Sequence, residues 1–223
     1  MYKHKIKLKL NIDTYQNREV FAKAMLEKYM SQSPNNFVSD IGAGYGHMKT
    51  NVEQLGAKWQ PFDYVQKIPE SIIWNLNDKA PENVKKAGMV LFLEVLEHLD
   101  NPLLCLQNIS NHMEKGSVLI LTTPNPQSSK NTLSLFLRGA LYAFQEKHIK
   151  ENHVFTPWKH VVYAFLKRSG FEILEYAVVD MQYKDRKIPS VKDWIKYNIE
   201  SYLEYRNPLA KGMSYGIVAR KVT

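Results

Sequence analysis

Apolar and polar positions alternate at the start of the chain. Ile6, Leu8, Leu10 and Ile12 are separated by polar residues, which predicts a short half-buried strand or arm. Asp13 and Thr14 then offer helix caps, and Gln16 stands at the capping-box spacing from Asp13. Phe21, Met25 and Tyr29 recur every four residues and mark one face of the helix that follows. After the SQSPNN loop, short apolar runs at Phe37 to Ile41, AKWQPFDYV to about Asp63, Ile72 to Leu76, Gly88 to Leu93 and Ser117 to Thr122 predict five strands. Phe171 to Val179 and Ser214 to Val222 predict two more. The Gly88 to Leu93 run is so apolar that neither face should meet water.

Helical patterns fill the gaps. One runs from the glycine cluster at 42–46 to about Leu55. Another starts at Asn101-Pro102, buries Leu103, Leu106, Ile109 and Met113, and stops at Gly116. A third starts at Thr156-Pro157, turns Val161, Val162, Phe165 and Leu166 inward, and ends at Gly170. Strand and helix alternate along most of the chain, so the expected fold is α/β: a doubly wound, mostly parallel sheet with right-handed crossovers. Two stretches interrupt this rhythm. Residues 128–154 carry Leu133, Phe136, Leu137, Ala140, Leu141 and Phe144 at helical spacing and are too long for a plain connection, which predicts a helical insert or lid. Residues 189–205 predict a second, aromatic-rich helical insert. The expected organisation is one domain over 1–223, with an arm and helix over 1–30.

Composition excludes several classes. Of 223 residues, 44% are hydrophobic and 23% charged, which is ordinary for a folded domain and excludes a disordered chain. No apolar run approaches the roughly 20 residues of a membrane span, and MYKHKIKLKL lacks the continuous apolar segment of a signal peptide. Cys105 is the sole cysteine, so there is no intrachain disulfide and no cysteine-rich zinc site, and a reducing cytoplasm is the expected compartment. The net charge of +8 would suit a nucleic acid, yet the basic residues are spread along the chain without a dense block. A solvated basic surface is the simpler reading.

The strongest chemical signal is NNFVSDIGAGYGHM, where an apolar strand runs into glycine at every second position. Glycines let the chain turn sharply and let a ligand approach without a Cβ in the way. The spacing does not match a dinucleotide fingerprint, because the third small residue of G-x-G-x-x-G would fall on His47. No G-x-x-x-x-G-K-[ST] phosphate loop is present either. Asp40, two residues before Gly42, would repel a pyrophosphate but suits a ligand that carries an ammonium or sulfonium. Asp63, about 20 residues further on at the end of the second strand, can accept hydrogen bonds from both hydroxyls of a ribose.

With these residues in place, the sequence resembles the class I S-adenosylmethionine-dependent methyltransferases. VSDIGAGYG is similar to the first motif of that family, QPFDYV to the second, and WNLND to the segment flanking the adenine. LFLEVLEHLDNP, the helix after it and KGSVLILTTPNP are similar to the bacterial small-molecule and sugar O-methyltransferase branch. The resemblance implies a Rossmann-like sheet of seven strands with the last antiparallel, and S-adenosyl-L-methionine as cofactor. It implies that Asp40, Gly42, Ala43 and Gly44 line the methionine end and that Asp63 holds the ribose with Tyr64 beside the adenine. Asn75 and Leu76 would border the adenine, and Leu93, Glu94 and Val95 would close the pocket floor. Where the family commonly has Asp, this chain has Asn75, whose amide oxygen can still accept from the adenine amine.

Open α/β sheets bind ligands beyond the carboxyl ends of their strands. His98 follows the fourth strand there and is the first candidate for a base that takes the acceptor proton. His153, after the insert, is the second. Asn125 offers a group to orient substrate, while Glu97 reads as a solvated or dipole-directed carboxylate at the start of a turn and Glu94 as a pocket former. The spacings of five and seven among His148, His153 and His160 do not match the helical histidine pairs of zinc enzymes, so no metal is expected. The expected acceptor is a hydroxyl of a sugar or small metabolite. The rivals are an RNA acceptor, favoured by charge but without an appended RNA-binding module, and a binding protein that has lost catalysis. The apolar insert fits either a lid or a dimer interface.

Overall fold

The computed structural model describes residues 12–145, 152–181 and 188–223. Its strands are β1 (Asp13–Thr14), β2 (Phe37–Ile41), β3 (Lys58–Asp63), β4 (Ile72–Ile73), β5 (Ala87–Leu93), β6 (Met113–Pro124), β7 (Phe171–Val179) and β8 (Ser214–Lys221). They form one sheet in the order β1-β7-β8-β6-β5-β2-β3-β4. β8 is antiparallel to both its neighbours, β6 and β7, and the remaining pairs are parallel. The helices are α1 (Arg18–Tyr29), α2 (Lys49–Glu53), α3 (Pro102–His112), α4 (Ser129–Arg138), α5 (Lys159–Arg168) and α6 (Val191–Arg206). Among the described residues, no helix is long and apolar enough to cross a membrane.

The period of two along β5 divides the core. Val90 and Phe92 pack on one side of the sheet with Leu106 and Ile109 of α3 and Val162 and Leu166 of α5. Met89 and Leu91 pack on the other with Phe21, Met25 and Leu26 of α1. Both faces of β5 are therefore covered, which accounts for its unbroken apolar run. Connections of this kind deliver the ends of β2, β3 and β5 to one edge, where the site lies.

Several boundaries differ from the sequence expectation. Asp13 and Thr14 are not a helix cap but an eighth strand, paired with Ala177 and Val178 at the sheet edge. Tyr15 extends that pairing by donating its N–H to the Val178 carbonyl, so the helix starts later, with the Asn17 side chain accepting from Val20 N–H at 2.9 Å. The sheet thus has eight strands, the seven expected plus this two-residue addition. α3 ends at His112 rather than at Gly116, because the chain is already extended at Met113. The helix after the glycine loop shrinks to Lys49–Glu53. The arm expected at Ile6, Leu8 and Leu10 lies outside the described residues.

Within 128–154, α4 is capped by Ser128 and stops at Gly139, whose φ of 72° only glycine adopts freely. Leu133 is buried, but Phe136 is 86% exposed. Ala140, Leu141 and Phe144 fall beyond the helix. α6 is inverted relative to a surface helix. Its buried residues are Glu200 and Glu204, and Ser129 donates to Glu204 Oε1 at 2.7 Å, while Trp194, Ile195, Ile199 and Tyr202 face outward.

One core contact holds the segment that leads into α5. The fully buried Tyr215 hydroxyl donates to the Pro157 carbonyl at 2.7 Å. Tyr215→Phe leaves that carbonyl unpaired and is expected to cost about 1–3 kcal/mol, read as a lower urea midpoint with unchanged slope.

Candidate active site

The glycine loop turns where the sequence placed it. Gly42 and Gly44 have φ of 79° and 56°, in the left-handed region. The N–H groups of Gly42 and Ala43 both donate to the Phe62 carbonyl, at 2.8 and 3.0 Å, which folds the loop over the end of β3. Gly44 N–H donates to Asp63 Oδ2 at 3.0 Å, and Tyr64 N–H donates to Asp63 Oδ1 at 2.8 Å. Asp63 therefore pins the loop from below, with Lys67 Nζ 3.7 Å from its Oδ2.

Two clefts flank the loop. One, of about 490 Å³, is lined by Asp40, Gly42 to Gly44, Leu93, Glu94, Glu97, His98 and His153. The other, of about 540 Å³, is lined by Asp63, Tyr64, Asn75 and Val95. Gly42, Lys67, Glu94 and His98 border both, so the two form neighbouring halves of one groove. Leu76 lies in the buried core beneath, where its carbonyl accepts from Asn108 Nδ2 at 2.9 Å.

Asp40 is buried, and its Oδ2 accepts from Trp59 Nε1 at 3.0 Å. Burial pushes its carboxyl up to about 6; the Trp59 hydrogen bond opposes that shift and the nearby Asp63 adds to it.

The end of β5 builds the other wall. Glu94 takes a φ of 54°, in the left-handed region, while its N–H donates to the Thr122 carbonyl at 2.9 Å. A non-glycine residue there carries backbone strain of about 1–2 kcal/mol, a cost seen where a side chain must be aimed at a site. Ser214 Oγ donates to Glu94 Oε2 at 3.3 Å, whereas Oε1 is buried with no hydrogen-bond partner. Burial raises Glu94 to about 7, with Arg18 of α1 opposing. Glu97 follows in the short turn Leu96–His98 and is only 1% exposed. Thr123 Oγ1 donates to its Oε2 at 3.0 Å. Burial, then the neighbouring Glu94, holds Glu97 well above the usual carboxylate range. The expectation of a solvated Glu97 is thus corrected: the turn after β5 tucks it under the chain.

The Glu97 carbonyl accepts from both Val154 N–H and Phe155 N–H, each at 3.0 Å. Asn152 Nδ2 also donates to the His98 carbonyl, at 3.4 Å. These bonds clamp the end of the insert onto the turn, and the His98 and His153 rings meet edge to face with centroids 4.7 Å apart. The two histidines singled out as alternatives are thus neighbours in one place. Asn125, in contrast, is buried at a loop junction. Its Nδ2 donates to the Leu209 carbonyl at 2.9 Å and its Oδ1 accepts from Gln127 N–H, so it fastens loops instead of facing a substrate.

Arg18 and Lys67 also line the groove, and sequence reasoning passed over both. Arg18 reads as an ordinary first residue of a helix. Lys67 had a usable signal, since it stands four residues after Asp63. The groove therefore offers a buried carboxylate and a glycine cradle at one end, a second carboxylate at the other, and an acidic, imidazole-rich wall between them and the insert.

A family model described as a methyltransferase domain matches residues 15–176. Solved structures share the fold at low identity. A SAM-dependent methyltransferase from Archaeoglobus fulgidus is 20% identical, with 92% of this chain and 95% of that one covered and a TM-score of 0.57. An S-adenosylmethionine-dependent methyltransferase from Mesorhizobium loti is 14% identical over 88% and 96% of the two chains, with a TM-score of 0.54. The CcbJ methyltransferase from Streptomyces caelestis is 12% identical over 92% and 89%, with a TM-score of 0.56. No curated protein matches the sequence.

Proposed function

The chain belongs to the methyltransferase-domain family, and from that premise we propose that it methylates a hydroxyl of a sugar or small metabolite, with S-adenosyl-L-methionine as donor. The carrying observation is that Asp40 and Asp63 flank one glycine turn, each lining one of the two neighbouring halves of the groove. The residues fit this cofactor. Gly42 and Gly44 keep the cradle open, Asp40 complements the ammonium of the methionine end, and Asp63 accepts from the ribose hydroxyls. Asn75 and Tyr64 border the adenine, and Leu93, Glu94 and Val95 form the floor. The bound sulfonium supplies a methyl group already activated for displacement, so the protein's share of catalysis is alignment and preparation of the acceptor.

The acceptor lies against the wall of Glu94, Glu97, His98 and His153, and His98 activates its hydroxyl with His153 beside it. The end of the insert, through His153, covers this wall, which favours the lid role for residues 128–154. A reducing cytoplasm suits Cys105, a buried free thiol.

Calorimetry with S-adenosylhomocysteine, followed by methyl incorporation across hydroxyl acceptors and RNA, tests the assignment. Micromolar binding and transfer to a small hydroxyl acceptor are expected, and transfer to RNA alone would replace the acceptor class. Asp63→Ala should weaken binding about ten- to a hundredfold, the effect of losing a charged hydrogen-bond acceptor. Unchanged affinity would place the ribose elsewhere.

The pH dependence follows from Asp40. Its carboxyl is raised to about 6, so it is ionised above that value and neutral below it. The ammonium of the ligand is held only by the ionised form. Affinity for S-adenosylhomocysteine is therefore expected to fall as pH drops through about 6, by up to about tenfold per unit. Asp40→Asn should remove this component of the profile and leave the binding weak throughout.

A further inference from the structure

A second cavity, of about 360 Å³, lies at the amino end of β5, between the 79–86 loop and the last turns of α3. Among the described residues it shares no lining side chain with either half of the groove. The seven residues of β5 set the two sites about 20 Å apart. We propose that this cavity binds the phosphate group of a small phosphate monoester, with Lys79, Lys86 and His112 as its donors.

Sequence spacing drew attention to His98, His148, His153 and His160. His148 lies outside the described residues, and the histidine at this cavity is His112, which reads in sequence as the end of an apolar helix. It is only 4% exposed, and its ring packs edge to face on Phe62 and Trp74, with centroids 5.3 Å away in each case. Its Nε2 lies 2.9 Å from Ser39 Oγ. The Gln60 amide is oriented by Lys85 N–H, which donates to its oxygen, so Gln60 Nε2 donates to Ser39 Oγ at 3.4 Å. The buried Ser39 hydroxyl therefore gives its own proton to His112 Nε2, and Nδ1 carries the N–H of a neutral ring. Burial, with Lys86 nearby, holds this ring down at about 4, so it stays neutral at pH 7. Among the described residues nothing accepts from Nδ1, and His112 lines the cavity. An oxygen of the ligand satisfies that donor.

The charge of the cavity has the matching sign. Lys79 and Lys86 line it together with one carboxylate, Glu82. Among the described residues neither lysine forms an ion pair. The carboxyl end of α3 would by itself repel an anion. Lys221 answers it by donating to the Ser110 and Met113 carbonyls at 2.8 and 2.9 Å. Burial, then the charge of Lys86, lowers Lys221, so cations crowd this end of the helix and an anion relieves them.

Two ammonium groups and one N–H suit the three oxygens of a phosphoryl group better than the two of a carboxylate. The volume is that of a small-molecule site and leaves room for a carbon body against Pro81 and Val84. Asn108 Nδ2 is held by the Leu76 carbonyl at 2.9 Å, which leaves its Oδ1 to accept from a hydroxyl of that body. None of this depends on the methyl-transfer reading.

Calorimetry of the full chain with glucose 6-phosphate, glucose and citrate tests the site. One equivalent of glucose 6-phosphate is expected to bind, and the other two at least about tenfold more weakly. Lys86→Gln should weaken binding about ten- to a hundredfold, the effect of losing a charged hydrogen-bond partner. Lys192→Gln, on α6, should leave it unchanged, which separates the site from general attraction to a basic protein. Both lysines are exposed, and circular dichroism checks that both variants fold. In two-bond ¹H–¹⁵N spectra, His112 is the histidine that stays neutral to about pH 4, and its Nδ1 resonance should move on addition of the ester. No binding of the ester, equal or tighter binding of glucose or citrate, wild-type affinity in Lys86→Gln, or an unmoved Nδ1 resonance overturns the proposal. Displacement of the ester by S-adenosylhomocysteine also overturns it, since the ester would then sit in the groove. Ester binding without S-adenosylhomocysteine binding supports this site and removes the cofactor reading.

Discussion

Gly42→Ala is expected to lower affinity for S-adenosylhomocysteine by more than a hundredfold while the sheet stays folded. Two effects act at this position. Its φ of 79° is strained for alanine, and the added Cβ would stand 2.3 Å from Val95 Cγ2. Left-handed backbone costs about 1–2 kcal/mol and overpacking about 1–3 kcal/mol. Relief requires either the loop or Val95 to move, and both border the groove. The Gly42 and Ala43 bonds to the Phe62 carbonyl would shift with the loop, and so would the Gly44 bond that orients Asp63. Gly56→Ala is the control: it has a similar φ of 72° but open space around the new methyl, so it should lose stability without losing affinity. Calorimetry and circular dichroism on the two variants check the contrast. Equal affinities for wild type and Gly42→Ala would show that the loop does not cradle the ligand.

Much of the fold was legible because its signals are local. The Gly88 to Leu93 run needs only burial on both faces to be a strand, and Asn101-Pro102 carries its own cap and start. Asp13 and Thr14 were misread for the opposite reason. Their side chains suit a cap, but the deciding interaction is pairing with Ala177 and Val178, far away in sequence. The glycine turn was legible too, since Asp40, the glycines and Asp63 sit at short, fixed distances from strand ends. The wall formed by Glu97, His98 and His153 was not. His98 and His153 were each visible, yet what joins them is the Glu97 carbonyl accepting from Val154 and Phe155, a backbone contact that no side-chain pattern announces. Glu97 looked solvated because charge is the usual mark of exposure; Thr123 and the turn after β5 bury it.

His98→Ala is expected to lower turnover by about 10²–10⁴-fold, the range for losing a group that handles the acceptor proton. Affinity for S-adenosylhomocysteine should change little, because the polar groups proposed to hold it run from Asp40 to Asn75. His98 also borders the second cleft, so the alternative is that it merely packs on the cofactor. In that case affinity would fall and turnover at saturation would survive. Contact between the His98 and His153 rings adds a sharper requirement. Side chains that act as one unit are strongly non-additive, so the double variant His98→Ala/His153→Ala should be scarcely slower than either single variant. Independent roles would instead multiply the two losses. Steady-state kinetics on the three variants, at saturating cofactor, distinguishes a shared acceptor site from two separate contributions.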